Sequence, residues 1–517
     1  MFFINILLLV PVISSIILLS LCYLDFSIIL GSNTLSYLTS IYYSIAIDYI
    51  SLSCLTMLVT CFIIAGLFYW HYFSWHSDYL IVNIQLFVLS MVYLILSSSV
   101  VNSFIGWELL GISSFFLILY YSIYYSARAA SVTVLSSRLG DVGFFIFLSC
   151  VINDIFSSIS LTCCIFILFL IISKSAVFPL TSWLLEAMRA PTPVSSLVHS
   201  STLVAAGVVL ICRYEFYLIN GSYSYILLIL CIFTTLLSAS AAFFYSDTKK
   251  IIALSTCNNI SWCYIYLYMG MIELCLLQLV CHGIFKCILF CLIGDFLVNS
   301  NNSQNKSMHY YFSSVSYSIM VTVTCLFISG SPFLGVYFSK HLFLSYLSEV
   351  DNVLILLFIL LGLSLSFLYT FRLLNVINSD LNTSSNGFNN LFYSCISILP
   401  VIMFINSLLT NSLLEDSLPS YFVSILINFL IIIMSFIGYM FCYNSLSRWN
   451  SSLYGQDFFI LDSSIVFSFV SNIIYNSSIF RWESEVIKNF LSFRTNYSLG
   501  LSFILVLSFM FYLFILI

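Results

Sequence analysis

The sequence predicts an all-α membrane protein, a polytopic transmembrane helix bundle with inverted repeats and two discontinuous helices. Three observations predict it. The 517 residues are 62% apolar and only 7% charged. Runs of about twenty apolar residues recur along the chain, each long enough to cross a hydrocarbon core. Two of those runs are interrupted by proline or glycine close to a lysine, the pattern expected of paired half-helices around a site at membrane depth.

Hydropathy places spans near 2–24, 46–70, 78–99, 101–124, 131–153, 161–189, 192–219, 224–245, 249–270 and 272–298. Further spans follow near 315–349, 352–378, 391–413, 420–443 and 498–517. Polar stretches such as NSNNSQNKSMH (299–309) and NSDLNTSSNGFNN (378–390) punctuate them as loops. This divides the chain into a bundle of about fourteen helices over 1–460, an amphipathic segment over 461–497 and a terminal transmembrane anchor over 498–517. The segment 462–496 mixes apolar residues with Ser, Asn, Arg481, Glu483, Glu485 and Lys488, too polar for a simple span.

Composition narrows the function. The net charge of −5 leaves neither a basic patch for nucleic acid nor an acidic tail. The first 25 residues carry no basic n-region and no small-residue cleavage site, so they read as a retained span. Seventeen cysteines are scattered through apolar runs without any C-x-x-C spacing, which assigns them to helix packing and argues against metal or iron–sulfur sites. No phosphate loop, nucleophile elbow, metal-ligand cluster or dinucleotide fingerprint occurs, so the chain is expected to carry no cofactor of its own. The 50 Phe and 35 Tyr fit the codon bias of an AT-rich organelle genome.

The ionisable residues inside spans are few, and such residues mark ion or proton pathways. They are Glu108 in FIGWELLG, Arg138 and Asp141 in SSRLGD, Lys174 in IISKSAVFP, His199 in SSLVHSS, His282 and Lys286 in VCHGIFKCI, and Lys340 in YFSKH. Lys174 lies near the middle of its run, too deep to snorkel. Burial disfavours a charged amine and a neighbouring carboxylate favours it, so Lys174 with Glu108 reads as a switchable proton site or as a static buried ion pair. His282 and Lys286 are four apart on one helix face; a proton relay and a satisfied structural histidine are both open readings.

Other charges have plainer readings beside a functional one. Arg138 and Asp141 neutralise each other locally or support the proton site. Asp247 and Lys249, with Lys250, anchor the start of a span or feed a proton path. Glu186 and Arg189 form a local pair at a helix end. The breaks are expected at Pro191 and Pro193 in the first case and at GSPFLG (330–335), with Pro332, in the second.

In sum these motifs resemble the antiporter-like membrane subunits of respiratory complex I. The resemblance is carried by IDYISL (47–52), GWELLG (106–111), SRLGD (137–141), KSAVFPLTSWLLEAMRAPTPVSSLVHSSTLVAAG (174–207), SDTKKIIALST (246–256), HGIFKCILF (282–290), PFLGVYFSK (332–340) and YTFR (369–372). It implies a subunit of a proton-translocating NADH:ubiquinone reductase in the mitochondrial inner membrane. Glu108 and Lys174 would form the first proton pair, His199, His282 and Lys286 the central relay, and Lys340 the terminal lysine. NADH, FMN, iron–sulfur clusters and ubiquinone would belong to other subunits. Segment 462–496 would be a C-terminal lateral amphipathic helix running along neighbouring antiporter-like subunits, and membrane lipids would be further partners.

The sequence departs from that family at Gln278, where a histidine is usual, and at His341, where an aspartate is common. The interval before IDYISL is also short. An alternative with the same motifs is a subunit of a multi-subunit sodium/proton antiporter.

Overall fold

The computed structural model describes residues 28–32, 43–73, 78–152, 161–215, 224–245, 247–299, 315–332, 334–346, 353–377 and 421–440. The chain divides into two units, Met1–Phe458 and Phe459–Ile517, and every described residue belongs to the first. The expected spans at 2–24, 391–413 and 498–517 and the amphipathic segment 462–496 lie outside the described residues.

The described residues are overwhelmingly helical. One short antiparallel pair, β1 (Ile28–Ser32) with β2 (Tyr43–Ile47), precedes the helices, with Ile28 opposite Ile47. Helix α1 (Tyr49–Tyr72) follows directly and is capped by Asp48 and Ser51 in reciprocal hydrogen bonds. Then come α2 (Asp78–Leu96), α3 (Val100–Ile118) and α4 (Tyr124–Ile152). Among the described residues, eight helices or helix pairs are long and apolar enough to cross a membrane.

Helices in lipid gain little from excluding water and associate through close packing, which small residues permit. This chain uses glycine for that purpose where α3 crosses α2 and where α4 meets the helix after it. A Cβ at Gly106 of α3 would stand 2.9 Å from the Cβ of Leu94 on α2. At Gly140 of α4 it would overlap the Ser173 side chain of the next helix. Eleven cysteines, Cys54, Cys61 and Cys257 included, are buried and unbridged.

The first broken span lies where its lysine is, and earlier than the prolines singled out in the sequence. Helix α5 (Leu161–Ser175) stops one residue after Lys174, and Ala176 adopts a left-handed φ of 53°. Pro179 cannot donate a backbone hydrogen bond and keeps the helix from resuming at once. A six-residue helix α6 (Ser182–Ala187) intervenes before Pro191, which caps α7 (Thr192–Ser200). Pro193 is in the first turn of α7, where a missing N–H costs nothing. The expected break at Pro191 and Pro193 is therefore corrected: Pro191 marks a second interruption and Pro193 opens a helix. After Ser201 and Thr202 the chain continues as α8 (Leu203–Arg213), and the span formed by α7 and α8 is wholly buried.

The second half continues with α9 (Ser224–Phe244), α10 (Thr248–Tyr268) and α11 (Ile272–Asn299). Helix α11 packs against α1, α7 and α10, which makes it the central post of the bundle. The second broken span is α12 (Val315–Ser329) and α13 (Tyr337–Tyr346), separated where the sequence predicts it, around Pro332. Gly330 and Gly335 carry φ values of 81° and 49° there, conformations that favour glycine. Helices α14 (Val353–Ile377) and α15 (Tyr421–Met440) complete the described bundle.

Candidate functional site

The first cluster is assembled from α3, α4 and α5. Glu108 of α3, Arg138 and Asp141 of α4 and Lys174 of α5 line one cavity of about 220 Å³, together with Trp107 and Gly111. Gly111 makes room for the amine: a Cβ there would stand 3.5 Å from Lys174 Nζ. Gly140 lets α4 lie close on α5, which brings the neighbouring Asp141 toward Trp107 and the lysine.

The direct Glu108–Lys174 ion pair expected from the sequence is not the pairing present. Glu108 Oε2 accepts from Arg138 Nη1 at 2.9 Å, and the same guanidinium nitrogen reaches Asp141 Oδ2 at 3.2 Å. Arg138 can serve both carboxylates because its planar head presents several donors in a fixed fork. Lys174, 2% exposed, instead donates to the Trp107 carbonyl oxygen at 3.2 Å, with Nζ 4.9 Å from the centre of the Trp107 ring. Trp107 Nε1 in turn donates to Asp141 at 3.0 Å. Trp107 thus joins the base to the acids, and sequence reasoning passed over it because a tryptophan has no titratable group.

The central cluster lies along α7, α10 and α11. His199 of α7 is sandwiched between Trp183 and Phe290, with ring centroids 6.5 and 6.3 Å away. Both ring nitrogens of His199 and of His282 on α11 are buried without a hydrogen-bond partner among the described residues. Buried polar atoms of that kind hold water in folded proteins. Lys286, one turn from His282, donates to the hydroxyl of Ser255 and to the Ile252 carbonyl at 3.3 Å.

From there a hydrogen-bonded line runs toward the second broken span. Asn259 Nδ2 donates to the Ser255 carbonyl at 2.9 Å, Gln278 Nε2 donates to Asn259 Oδ1 at 3.2 Å, and Ser339 Oγ donates to Gln278 Oε1 at 2.5 Å. Ser339 precedes Lys340, whose Nζ donates to the Ser329 carbonyl at the end of α12 (2.8 Å) and to Ser366 Oγ (3.2 Å). The break between α12 and α13 thereby supplies the carbonyl that holds the terminal lysine. Gln278, noted in the sequence as a departure, is the link between α10 and α13. Ser255, Asn259 and Ser339 were not singled out, since uncharged side chains give no signal in a hydropathy reading.

The remaining residues fall as follows. Lys249 is buried at the start of α10. Asp247 caps α10 and lies 3.9 Å from Lys250. Arg189 Nε and Glu186 Oε2 pair locally at 2.9 Å. Pro332 is exposed within the second break.

Residues 97–368 match the family described as NADH:quinone oxidoreductase/Mrp antiporter, TM. Among curated proteins, the chain is 33% identical over 413 residues to NADH-ubiquinone oxidoreductase chain 5 of Anopheles gambiae, covering 73% of this chain and 69% of that one. It is 36% identical over 357 residues to the protein of the same name from Locusta migratoria, covering 64% and 61%. Among solved structures, a chain of the Mrp complex from Dietzia superposes with a TM-score of 0.70 at 18% identity, covering 93% of this chain and 59% of that one. A chain of the membrane-bound sulfane sulfur reductase, an archaeal respiratory membrane complex, gives 0.68 at 17% identity, covering 84% and 92%. At those identities the structures establish the shared fold.

Proposed function

The chain belongs to the NADH:quinone oxidoreductase/Mrp antiporter membrane family, and on that premise we propose that it is a proton-translocating membrane subunit of a respiratory NADH:ubiquinone oxidoreductase. The observation that carries the proposal is the arrangement of buried bases. Lys174, His199, His282, Lys286 and Lys340 are all buried within membrane spans, and each lysine rests on a backbone carbonyl rather than on a carboxylate. A purely structural bundle has no reason to bury so many amines without a direct carboxylate bond, because each costs desolvation that a carbonyl only partly offsets.

The first cluster acts as the switch. Glu108 has two cations at the edge of one cavity, Arg138 and Lys174. A carboxylate beside a buried amine favours its charged form, and removal of that carboxylate favours the neutral form. With Glu108 on Lys174 the site holds a proton; with Glu108 on Arg138, the arrangement present here, it gives the proton up. His199, His282 and Lys286 receive it with bound water, and the Ser255–Asn259–Gln278–Ser339 line couples the central amine to Lys340. Moving one charge across about 100 mV costs roughly 2.3 kcal/mol. That energy comes from electron transfer on partner subunits, which carry the NADH site, FMN, iron–sulfur clusters and ubiquinone.

The same reading places the chain in the mitochondrial inner membrane, encoded in the organelle. Its partners are other membrane-arm subunits, with residues 462–496 running laterally along neighbouring antiporter-like subunits. The names of the curated relatives favour this reading over a sodium/proton antiporter. A native gel of solubilised membranes stained for NADH dehydrogenase activity tests it: the chain is expected to co-migrate with the activity. Migration in a small complex without activity would overturn it.

A further inference from the structure

The proton path assigned so far uses α3, α4, α5, α7, α10, α13 and the middle of α11, yet α11 carries another titratable group two and a half turns further on. Asp295 accepts a hydrogen bond from, or donates one to, His71 Nε2 at 2.9 Å, and His71 is in the last turn of α1. The aspartate side chain is 8% exposed and the histidine 25%. From Lys286 to Asp295 the separation along the helix is roughly 13 Å at 1.5 Å per residue. The pair therefore lies at the ends of both helices, with its acid turned inward and its base partly open.

A buried polar face of α7 runs from His199 toward Gly294, the residue before Asp295. Thr192, Ser195, Ser196 and His199 stand at positions i, i+3, i+4 and i+7 of α7 and so share one face. All four are buried. Ser195 Oγ donates to the Thr192 carbonyl at 3.0 Å and Ser196 Oγ to the Pro193 carbonyl at 2.8 Å, which leaves both hydroxyl oxygens free to accept. Thr192 Oγ1 is buried with no partner among the described residues. At that level the helices are nearly in contact: a Cβ at Gly294, the residue before Asp295, would stand 3.0 Å from Thr192 Oγ1 and 2.6 Å from Phe68 Cζ.

We infer that the His71–Asp295 pair is an additional proton-exchange site, the port through which the central relay meets one aqueous face by way of the hydroxyl face of α7. The inference rests on the proton-translocating reading above. The proposed cycle starts from the pair with a neutral imidazole whose Nε2–H donates to the carboxylate. One proton arriving along Thr192, with bound water, forms an N–H bond on the imidazole and gives an imidazolium–carboxylate pair. The same proton leaves from the partly exposed ring to water, restoring the starting state without net chemistry.

The competing role is a clamp that only holds α1 to α11. The discriminating variant is the double exchange His71→Asn with Asp295→Asn, which can keep a hydrogen bond but holds no exchangeable charge. It is measured in the assembled complex reconstituted into liposomes, as protons moved per NADH oxidised. The port predicts at least a two-fold loss, recovered in Asp295→Glu with His71 intact. Unchanged stoichiometry in the double variant overturns it.

If the double variant does not assemble, infrared difference spectra of the resting and NADH-energised complex decide. A carboxylate band that moves on Asp295→Glu is expected, and the absence of any band sensitive to that exchange overturns the port. Lys174→Met in the same preparation separates the two ideas. Normal pumping in that variant removes the underlying reading, whereas normal pumping in the pair variants alone removes only the port.

Discussion

Trp107 shows how much of the site is carried by residues without charge. Its carbonyl and ring hold Lys174 while its indole N–H holds Asp141. Trp107→Phe keeps the ring and removes the N–H, so a buried carboxylate loses one donor. A loss of that kind costs about 1–3 kcal/mol. The expected result is reduced proton stoichiometry in a complex that still assembles, measured in liposomes against unmodified complex. Gln278 makes the second residue-level case. Gln278→Leu strands Asn259 and Ser339 and is expected to slow coupled turnover about five-fold, the equivalent of roughly 1 kcal/mol, whereas Gln278→His keeps a group able to bond to both and is expected to retain activity. Charged site residues were legible because charge inside an apolar run is conspicuous. Their pairing was not, since Arg138 reaches Glu108 across a helix boundary that spacing along the sequence cannot express.

At the scale of elements, the broken helices are the informative parts. The second was legible from GSPFLG because two glycines flank the proline, and the structure uses both at positive φ. The first was displaced in the sequence reading. Pro191 and Pro193 are more conspicuous than the single Pro179, yet a proline in a first turn does not break a helix, and the half-helix ends beside Lys174. Gly330 supports a direct test, since its φ of 81° is costly for any L side chain and a Cβ would meet Lys340 Cδ at 3.1 Å. Gly330→Ala is expected to destabilise by about 1–2 kcal/mol, read as a lower thermal midpoint of the solubilised complex, and to lower pumping because it presses on the terminal lysine.

For the whole molecule, hydropathy located the described spans to within a few residues, apart from α4, which begins seven residues before its expected start, and α3 and α8, which end six residues before their expected ends. It did not reveal that the spans at 161–189 and 192–219 are each two helices, because an interruption of a few residues barely changes a mean over twenty, and the division of 315–349 was legible only from GSPFLG. The order of motifs pointed to the antiporter-like membrane subunits, and the curated relatives carry the name NADH-ubiquinone oxidoreductase chain 5. The proposed lateral segment belongs to this scale: a photo-crosslinking residue placed at 488 is expected to link the chain to a neighbouring membrane subunit, and crosslinks confined to lipid would remove that role.

The central claim is that buried amines held by backbone carbonyls carry protons across the bundle, and Lys174, in one cavity with Glu108 and Asp141, is the amine most directly tied to the switch. Lys174→Met keeps the length and apolar stem of the side chain while removing its proton. The deciding measurement is the number of protons moved per NADH oxidised by the reconstituted complex carrying that exchange. The account predicts a lower proton number together with slower quinone reductase turnover. An unchanged proton number at an unchanged rate would contradict it.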